Sequence, residues 1–241
     1  MSTIVPGATQ LRPSLPDEPP ASLRFEKWLP TLLSVISGMV DLISFLSLGI
    51  FTAHVTGNIV VIGALVARHG RVNLAQILAI PVFIVAVAAT WLLAKISRKD
   101  GQNLMRFLLL VQFLLLACVL IFSVVTNPSA NPHGLMAGIA AMLAVSAMAC
   151  QFALLRLTLP VAPSTAVMTG NLTNAVLSFI DANSRTHPLM TGSAGRLKAS
   201  VHLLLGFFVG CVVAAAALSP LGEWAWLFPV ALAGVILALV K

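Results

Sequence analysis

The chain has 241 residues, of which 59% are hydrophobic and 9% are charged, and its mean hydropathy is +1.01. This composition lies far outside the range of soluble domains and indicates an integral membrane protein. The formal net charge is +7, but the basic residues lie between long apolar segments rather than on one soluble face. They are therefore interpreted as topology signals and lipid-headgroup contacts, and the expected partner is the lipid bilayer and not nucleic acid.

The N-terminal segment, residues 1–27, contains five prolines and several charges and has no apolar core. We therefore expect a disordered cytosolic tail rather than a signal peptide. The three cysteines lie inside apolar segments without the spacing of metal ligands, so they are predicted to be unreactive packing thiols. No cofactor and no metal site are expected.

A transmembrane helix requires about 20 apolar residues, and six segments reach or approach this length. They are residues 28–50, 74–94, 107–125, 135–155, 201–218 and 224–240. Two further apolar segments, 55–67 and 166–180, correspond to only about 20 Å of helix each. The predicted fold class is therefore an all-α polytopic membrane protein with about six transmembrane helices and two short half-helices.

The two short segments begin with the same tripeptide, preceded in both cases by Thr-Ala at the same offset. It occurs as Thr56, Gly57 and Asn58, and again 113 positions later as Thr169, Gly170 and Asn171. A repeat of this size indicates an internal duplication. The chain is accordingly divided into a first membrane repeat (28–126), a connecting loop (127–134) and a second membrane repeat (135–241).

The distribution of Lys and Arg distinguishes two topologies. If both short segments enter and leave on one side, there are six spans and 12 of the 14 Lys and Arg residues are cytoplasmic; if both cross, there are eight spans and 9 of 14 are cytoplasmic. The positive-inside rule favours six spans with both termini in the cytoplasm. Three spans per half make the second half an inverted repeat, whereas eight spans give two parallel halves. In the inverted arrangement the two Thr-Gly-Asn turns enter from opposite faces and could meet near the middle of the membrane.

Asp41 is the only acidic residue inside a predicted span, where a carboxylate costs roughly 2.5 to 3.5 kcal/mol. Ser34, Ser37 and Ser44 follow the helical spacing that places them on the same face as Asp41. This face is expected to point into the bundle. It forms either a polar packing seam or the lining of a proton- or cation-linked pathway.

The predicted depth of His54 in the membrane matches that of Asp41, if the chain turns at Ile50 and descends in an extended conformation. Both polar residues are missing together from the second repeat, where Phe152 and Val167 take their places. The hypothesis is an Asp41 and His54 pair that titrates in the physiological range and couples solute movement to protons. Two unrelated apolar replacements in the second copy remain the alternative.

Asn58 and Asn171 follow Gly at the start of each short helix. They either cap the helix or tie the turn down, or they contact a solute beside the free backbone N–H groups. The pathway residues proposed with them are Thr56, Gly57, Thr169 and Gly170.

The sequence Gly38-Met-Val-Asp41-Leu-Ile-Ser-Phe-Leu, followed by Phe51 and Val55-Thr-Gly-Asn58, resembles the YoaK family of bacterial membrane proteins, defined by a domain of unknown function (DUF1275). The resemblance extends from about Trp28 to the C-terminus and implies a multi-pass protein of the bacterial plasma (inner) membrane. In the second half, where the family usually carries a Gly-x-Gln-Asn-like sequence, this chain has Ala149-Cys-Gln-Phe152 and retains only the Gln. The family implies no activity.

The leading functional hypothesis is a small-solute transporter or channel, proton-coupled through Asp41, and not an enzyme. One alternative is an intramembrane enzyme that uses Asp41 and His54 as acid and base on a lipid-borne substrate. Another is a non-catalytic membrane assembly factor. The solute is not identified by the sequence, and a homodimer that encloses the pathway is considered beside a monomer.

Overall fold

The computed structural model describes residues 21–70, 72–183 and 192–240, with side chains from residue 27 onward. Within them every regular element is helical, which confirms the predicted all-α class. The α-helices are α1 (Ala21–Leu48), α2 (Gly57–Ala67), α3 (Leu74–Ser97), α4 (Gly101–Thr126), α5 (Leu135–Thr158), α6 (Met168–Asn183), α7 (Ser193–Leu221) and α8 (Leu227–Leu239). Helix α1 begins inside the segment predicted to be a disordered tail, and residues 1–20 of that segment lie outside the described residues.

Five helical stretches are long and apolar enough to cross a membrane. They are Lys27–Leu48, Leu74–Ser97, Gly101–Thr126, Leu135–Thr158 and Ser193–Leu239. The last stretch contains α7 and α8, between which the chain turns at Gly222, a residue with a φ of 55°. Large apolar side chains such as Ile84, Val85 and Phe208 are more than half exposed, as expected where lipid rather than water surrounds the protein. The protein is therefore a multi-pass membrane protein.

Helices α1 and α5 form the centre of the bundle. In their most apolar 18-residue segments 67% and 72% of the residues are buried, against 17% in α3. Helix α1 packs on α7 and α8, whereas α5 packs on α3 and α4, and α1 and α5 also contact each other. The first helix of each half therefore packs against the last two helices of the other half. This exchange of partners leaves neither half with a complete core of its own.

The contact between α1 and α7 brings the two backbones together. A Cβ atom on Gly210 would lie 2.1 Å from the carbonyl oxygen of Val35, and one on Gly206 would lie 2.8 Å from that of Thr31. Small residues permit this close approach, which van der Waals contact stabilises in a membrane.

Hydrogen bonds between loops show which helix ends lie together. Gln76 Nε2 donates to the Gly49 carbonyl at 2.9 Å, Asn73 Nδ2 to the Pro132 carbonyl at 3.0 Å, and the Ser129 N–H to Glu223 Oε1 at 3.0 Å. We call this the turn end; it comprises residues 49–56, 127–134 and 222–226. The beginnings of α1 and α7 and the segment after α5 meet at the opposite end. That end carries Lys27, Lys95, Lys99, Arg106, Arg156 and Lys198, and we call it the basic end.

The two short helices lie within connections that leave and return at one end of the bundle. Helix α2 connects α1 to α3 at the turn end, and α6 connects α5 to α7 at the basic end. Helix α2 packs mainly on α3 and α6 on α7, and the two do not pack extensively on each other. The direct meeting of the two Thr-Gly-Asn turns near the middle is therefore not formed. The geometry agrees with the six-span topology, while the number of membrane crossings and the inverted repeat remain predictions.

Candidate functional site

The polar face of α1 points into the bundle. Ser34, Ser37 and Ser44 are fully buried and Asp41 is 4% exposed. The Ser34 hydroxyl donates to the Leu203 carbonyl of α7 at 2.7 Å, so this serine joins the two helices. The Ser37 hydroxyl donates within its own helix at 3.1 Å, and Ser44 Oγ accepts from Thr52 Oγ1 at 3.2 Å. Ser34 and Ser37 thus serve packing, while Ser44 belongs to the surroundings of Asp41.

The Asp41 carboxylate is surrounded by donors from the segment that follows α1. Its Oδ1 accepts the backbone N–H groups of Thr52 and Ala53, both at 2.8 Å, and that of His54 at 3.4 Å. Its Oδ2 lies 2.7 Å from His54 Nδ1. Consecutive backbone N–H groups that converge in this way form an anion-binding concavity. The partners offset the cost of burying a carboxylate in the apolar bundle.

The segment that carries His54 is a compact turn. Residues 49–56 contain bends and turns rather than extended chain, with a φ of 70° at Gly49 and a hydrogen bond of 2.8 Å from the Gly57 N–H to the His54 carbonyl. The predicted extended descent is therefore wrong. The two side chains are close because the carboxylate binds the backbone of this turn.

His54 has one occupied and one free ring nitrogen. Nδ1 faces Asp41, whereas Nε2 is buried and has no hydrogen-bond partner among the described residues. The ring packs edge-on against Phe207 of α7, with 5.0 Å between ring centroids, and the side chain is 26% exposed. Asp41 and Phe207 together orient the imidazole. The arrangement allows a proton to be shared between Nδ1 and Oδ2.

Asn58 closes the same turn from the other side. Its Oδ1 accepts the Phe51 N–H at 2.9 Å, and its Nδ2 donates to the Phe51 carbonyl at 2.8 Å. In the second repeat Asn171 Nδ2 donates to the carbonyl of Ser164 at 2.8 Å, over the same separation in sequence. Both asparagines are buried. Their amides tie the turns down, which was one of the two predicted roles.

The remaining predicted site residues lie at the helix starts and do not reach Asp41. Thr56 precedes α2 without a side-chain capping bond, and Gly57 packs against the Phe51 ring. Thr169 is exposed, and Gly170 packs against Val167. Because α2 and α6 lie at opposite ends, the two tripeptides do not form one site.

A buried amide network was not predicted from the sequence. Gln112 Nε2 donates to Gln151 Oε1 at 2.7 Å, and Gln151 Nε2 donates to Ser37 Oγ at 2.7 Å and to the Leu33 carbonyl at 3.0 Å. This network joins α4, α5 and α1 at the junction of the two repeats. The sequence does contain an indication of this network: single glutamines lie within apolar segments, where a side-chain amide requires a partner.

In the second repeat, apolar residues take the positions that correspond to Asp41 and His54. Phe152 is 7% exposed and its ring centroid lies 6.1 Å from that of Phe83, whereas Val167 is 53% exposed.

In the described part of the chain no group of three or more His, Cys, Asp or Glu side chains could hold a metal ion. Among the described residues, Asp41 and His54 form the only close pair of a carboxylate and an imidazole.

Residues 29–239 match the family model described as "Protein of unknown function (DUF1275)". The chain belongs to the DUF1275 family. No match was found among curated proteins or among solved structures. The match begins within α1 and extends to the end of α8, so the Asp41 and His54 pair lies within the DUF1275 domain.

Proposed function

We propose that this DUF1275 protein is a small-solute transporter or channel of the bacterial plasma membrane, with proton coupling through Asp41 and His54, and that it is not an enzyme. The observation that carries the proposal is the 2.7 Å contact between Asp41 Oδ2 and His54 Nδ1 inside the helical bundle. Intramembrane ionisable pairs of this kind commonly serve proton relays. The buried, unpaired Nε2 of His54 supports the same proposal, since it leaves one ring nitrogen for exchange.

The proposed topology has six spans, two inverted halves and both termini in the cytoplasm. It is supported by the hydrogen bond from Gln76 to Gly49, which brings the beginning of α3 beside the end of α1. It is also supported by the recurrence of the asparagine-tied turn in both halves. Helical halves that pack across each other in this way are typical of secondary transporters.

The topology is tested by labelling single cysteines in a variant that lacks Cys118, Cys150 and Cys211. Arg68→Cys marks the end of α2, and Asn183→Cys marks the end of α6. A membrane-impermeant maleimide should label them from opposite sides of the membrane. Labelling of both from the same side would support eight spans in two parallel halves.

The function is tested in proteoliposomes that contain a pH-sensitive dye, with a panel of neutral and charged small solutes added outside. The wild-type protein should produce a solute-dependent change of internal pH. Asp41→Asn and His54→Gln should abolish this change. Asp100→Asn and His133→Gln remove the same groups from exposed positions and serve as matched controls that retain it.

Asn is the informative replacement for Asp41 because its remaining oxygen can still accept the Thr52 and Ala53 N–H groups. The turn is thereby kept while the charge is lost. An unchanged pH response in both site variants would remove the proposal. Turnover of a lipid in detergent without a gradient would favour an intramembrane enzyme, and a copurifying partner without flux would favour an assembly factor.

The oligomeric state belongs to the same proposal. Six short spans give a narrow bundle, and a homodimer could enclose the solute pathway between two copies. Cross-linking of the purified protein in liposomes, followed by mass determination, distinguishes a dimer from a monomer.

A further inference from the structure

A cavity of about 650 Å³ opens at the basic end, between the beginnings of α1 and α7 and the segment 158–163 after α5. This volume lies within the range of roughly 300 to 1,000 Å³ that is typical of ligand sites. Thr31, which lines it, precedes Asp41 by ten residues on α1, a rise of about 15 Å. The cavity is therefore separate from the Asp41 and His54 pair.

The walls of the cavity are mainly apolar. They include Leu203 and, from the segment after α5, Pro160, Val161 and Pro163. Val161 is 97% exposed and Trp28 is 51% exposed. Trp at the beginning of a transmembrane helix is typical of the level of the lipid headgroups. The cavity thus lies where the headgroups and the first carbons of the acyl chains are found.

The charged groups of the cavity are basic. Lys27 and Lys198 line it with exposed side chains, and His202 lines it as well. His202 Nδ1 contacts the Lys198 carbonyl, and its ring packs edge-on against Trp28 with 5.2 Å between centroids. None of the described lining residues is acidic. The site therefore matches a ligand that is both anionic and apolar.

We propose that this cavity binds the headgroup of an anionic phospholipid. Its phosphate lies between Lys27 and Lys198, and its glycerol and upper acyl chain pack on Val161, Pro163 and Trp28. Basic pockets between transmembrane helices bind anionic headgroups because the cations neutralise the phosphate while the chains remain in the bilayer. This binding does not depend on transport, since the cavity and the Asp41 and His54 pair share no residue.

The test uses the purified full-length protein in detergent, titrated with dioctanoyl phosphatidylglycerol and followed by native mass spectrometry. Dioctanoyl phosphatidylcholine supplies the same chains without net charge, and inorganic phosphate supplies the anion without chains. The site variant is Lys27→Gln with Lys198→Gln. The matched control is Lys95→Gln with Lys99→Gln, which removes two charges from the same end, where these lysines lie over the Trp91 and Phe107 rings.

Phosphatidylglycerol should bind the wild-type protein and the control variant equally well. The site variant should bind it on the order of 10- to 30-fold more weakly, since each lysine near an anionic headgroup contributes roughly fivefold. Val161→Glu should weaken binding as well, and this position is too exposed for the substitution to disturb folding. Phosphatidylcholine and inorganic phosphate should each bind weakly.

Four results would overturn the proposal. An equal loss in the Lys95 and Lys99 variant would show that general surface charge is responsible. Equal binding of phosphatidylcholine, or saturation by inorganic phosphate at the same concentration as the lipid, would exclude an anionic phospholipid as the ligand. Absence of lipid binding until residues 2–20 are removed would assign the cavity to the chain's own N-terminal segment.

Discussion

Gly38 of α1 lies against the backbone of Phe207 of α7, so closely that a Cβ atom on Gly38 would come within 2.2 Å of the Phe207 carbonyl oxygen. The Phe207 ring in turn packs edge-on against His54. The contact between α1 and α7 therefore also determines where the imidazole lies beside Asp41. Packing of the bundle and geometry of the candidate site are coupled through this pair.

Gly38→Ala should destabilise the protein, because the new methyl group meets backbone atoms that cannot move without separating α1 from α7. The expected loss is about 1 to 3 kcal/mol, the usual cost of overpacking. The free energy of unfolding can be measured by SDS titration in mixed micelles.

Gly63→Ala is the matched control for Gly38→Ala. Gly63 lies in α2, and no atom lies within 4 Å of the position that an added methyl group would take. Ala there should therefore be neutral or stabilising by up to about 1 kcal/mol. Equal effects at the two positions would contradict the close packing of α1 on α7.

Asp41→Leu should be much less stable than Asp41→Asn. Leu leaves the buried N–H groups of Thr52 and Ala53 without an acceptor, at a cost of about 1 to 3 kcal/mol each. Asn keeps an acceptor and should cost about 1 kcal/mol. Thermal unfolding of the two purified variants in the same detergent gives the comparison. Identical midpoints would indicate that the carboxylate does not hold the turn.

Asn58→Ala should cost more stability than Asn171→Ala. Asn58 makes two hydrogen bonds with Phe51, whereas Asn171 makes one with Ser164. At about 1 kcal/mol per bond, the expected losses are about 2 and about 1 kcal/mol. The measurement is again SDS titration, and a reversed order would contradict the proposed role of the asparagine ties.

Gln112→Leu and Gln151→Leu should be non-additive. Each single replacement removes the hydrogen bond between the two amides and leaves the group at the other end of that bond unpaired, while the double variant removes both amides. The expected coupling free energy is about 0.6 kcal/mol and at most about 1.7 kcal/mol, the average and the maximum found for side-chain hydrogen bonds in a membrane protein. A complete double-mutant cycle, with Ser146→Ala combined with Gln151→Leu as an uncoupled control, measures it. Full additivity would exclude the network.

Much of the architecture could be predicted from local sequence alone. Apolar segments of sufficient length predicted helices, since a chain in lipid must satisfy its backbone internally. The spacing of Ser34, Ser37, Asp41 and Ser44 correctly placed them on one inward face, because helical periodicity is a local property. The shared Thr-Gly-Asn predicted two short helices, and the structure has both, α2 and α6.

The course of the chain between elements could not be predicted in the same way. The approach of His54 to Asp41 was expected from depth, but through an extended segment that the structure replaces with a turn. The direct meeting of the two Thr-Gly-Asn turns was expected from the inverted topology. It is not formed, because α2 packs on α3 and α6 packs on α7.

The sequence by itself determined the membrane environment, the helical class and the one carboxylate within a predicted span, because hydropathy and helical periodicity depend only on neighbouring residues. Only the tertiary structure decided that Asp41 binds the backbone of the 52–54 turn, that Gln151 joins three helices, and that Lys27 and Lys198 share one cavity. Asp41 binds a turn only 11 to 13 residues further along the chain, and the fold of that turn decides the contact. The other two relationships join residues far apart in the chain. They follow from how α1 and α5 cross the other half of the bundle, and no local pattern encodes that crossing.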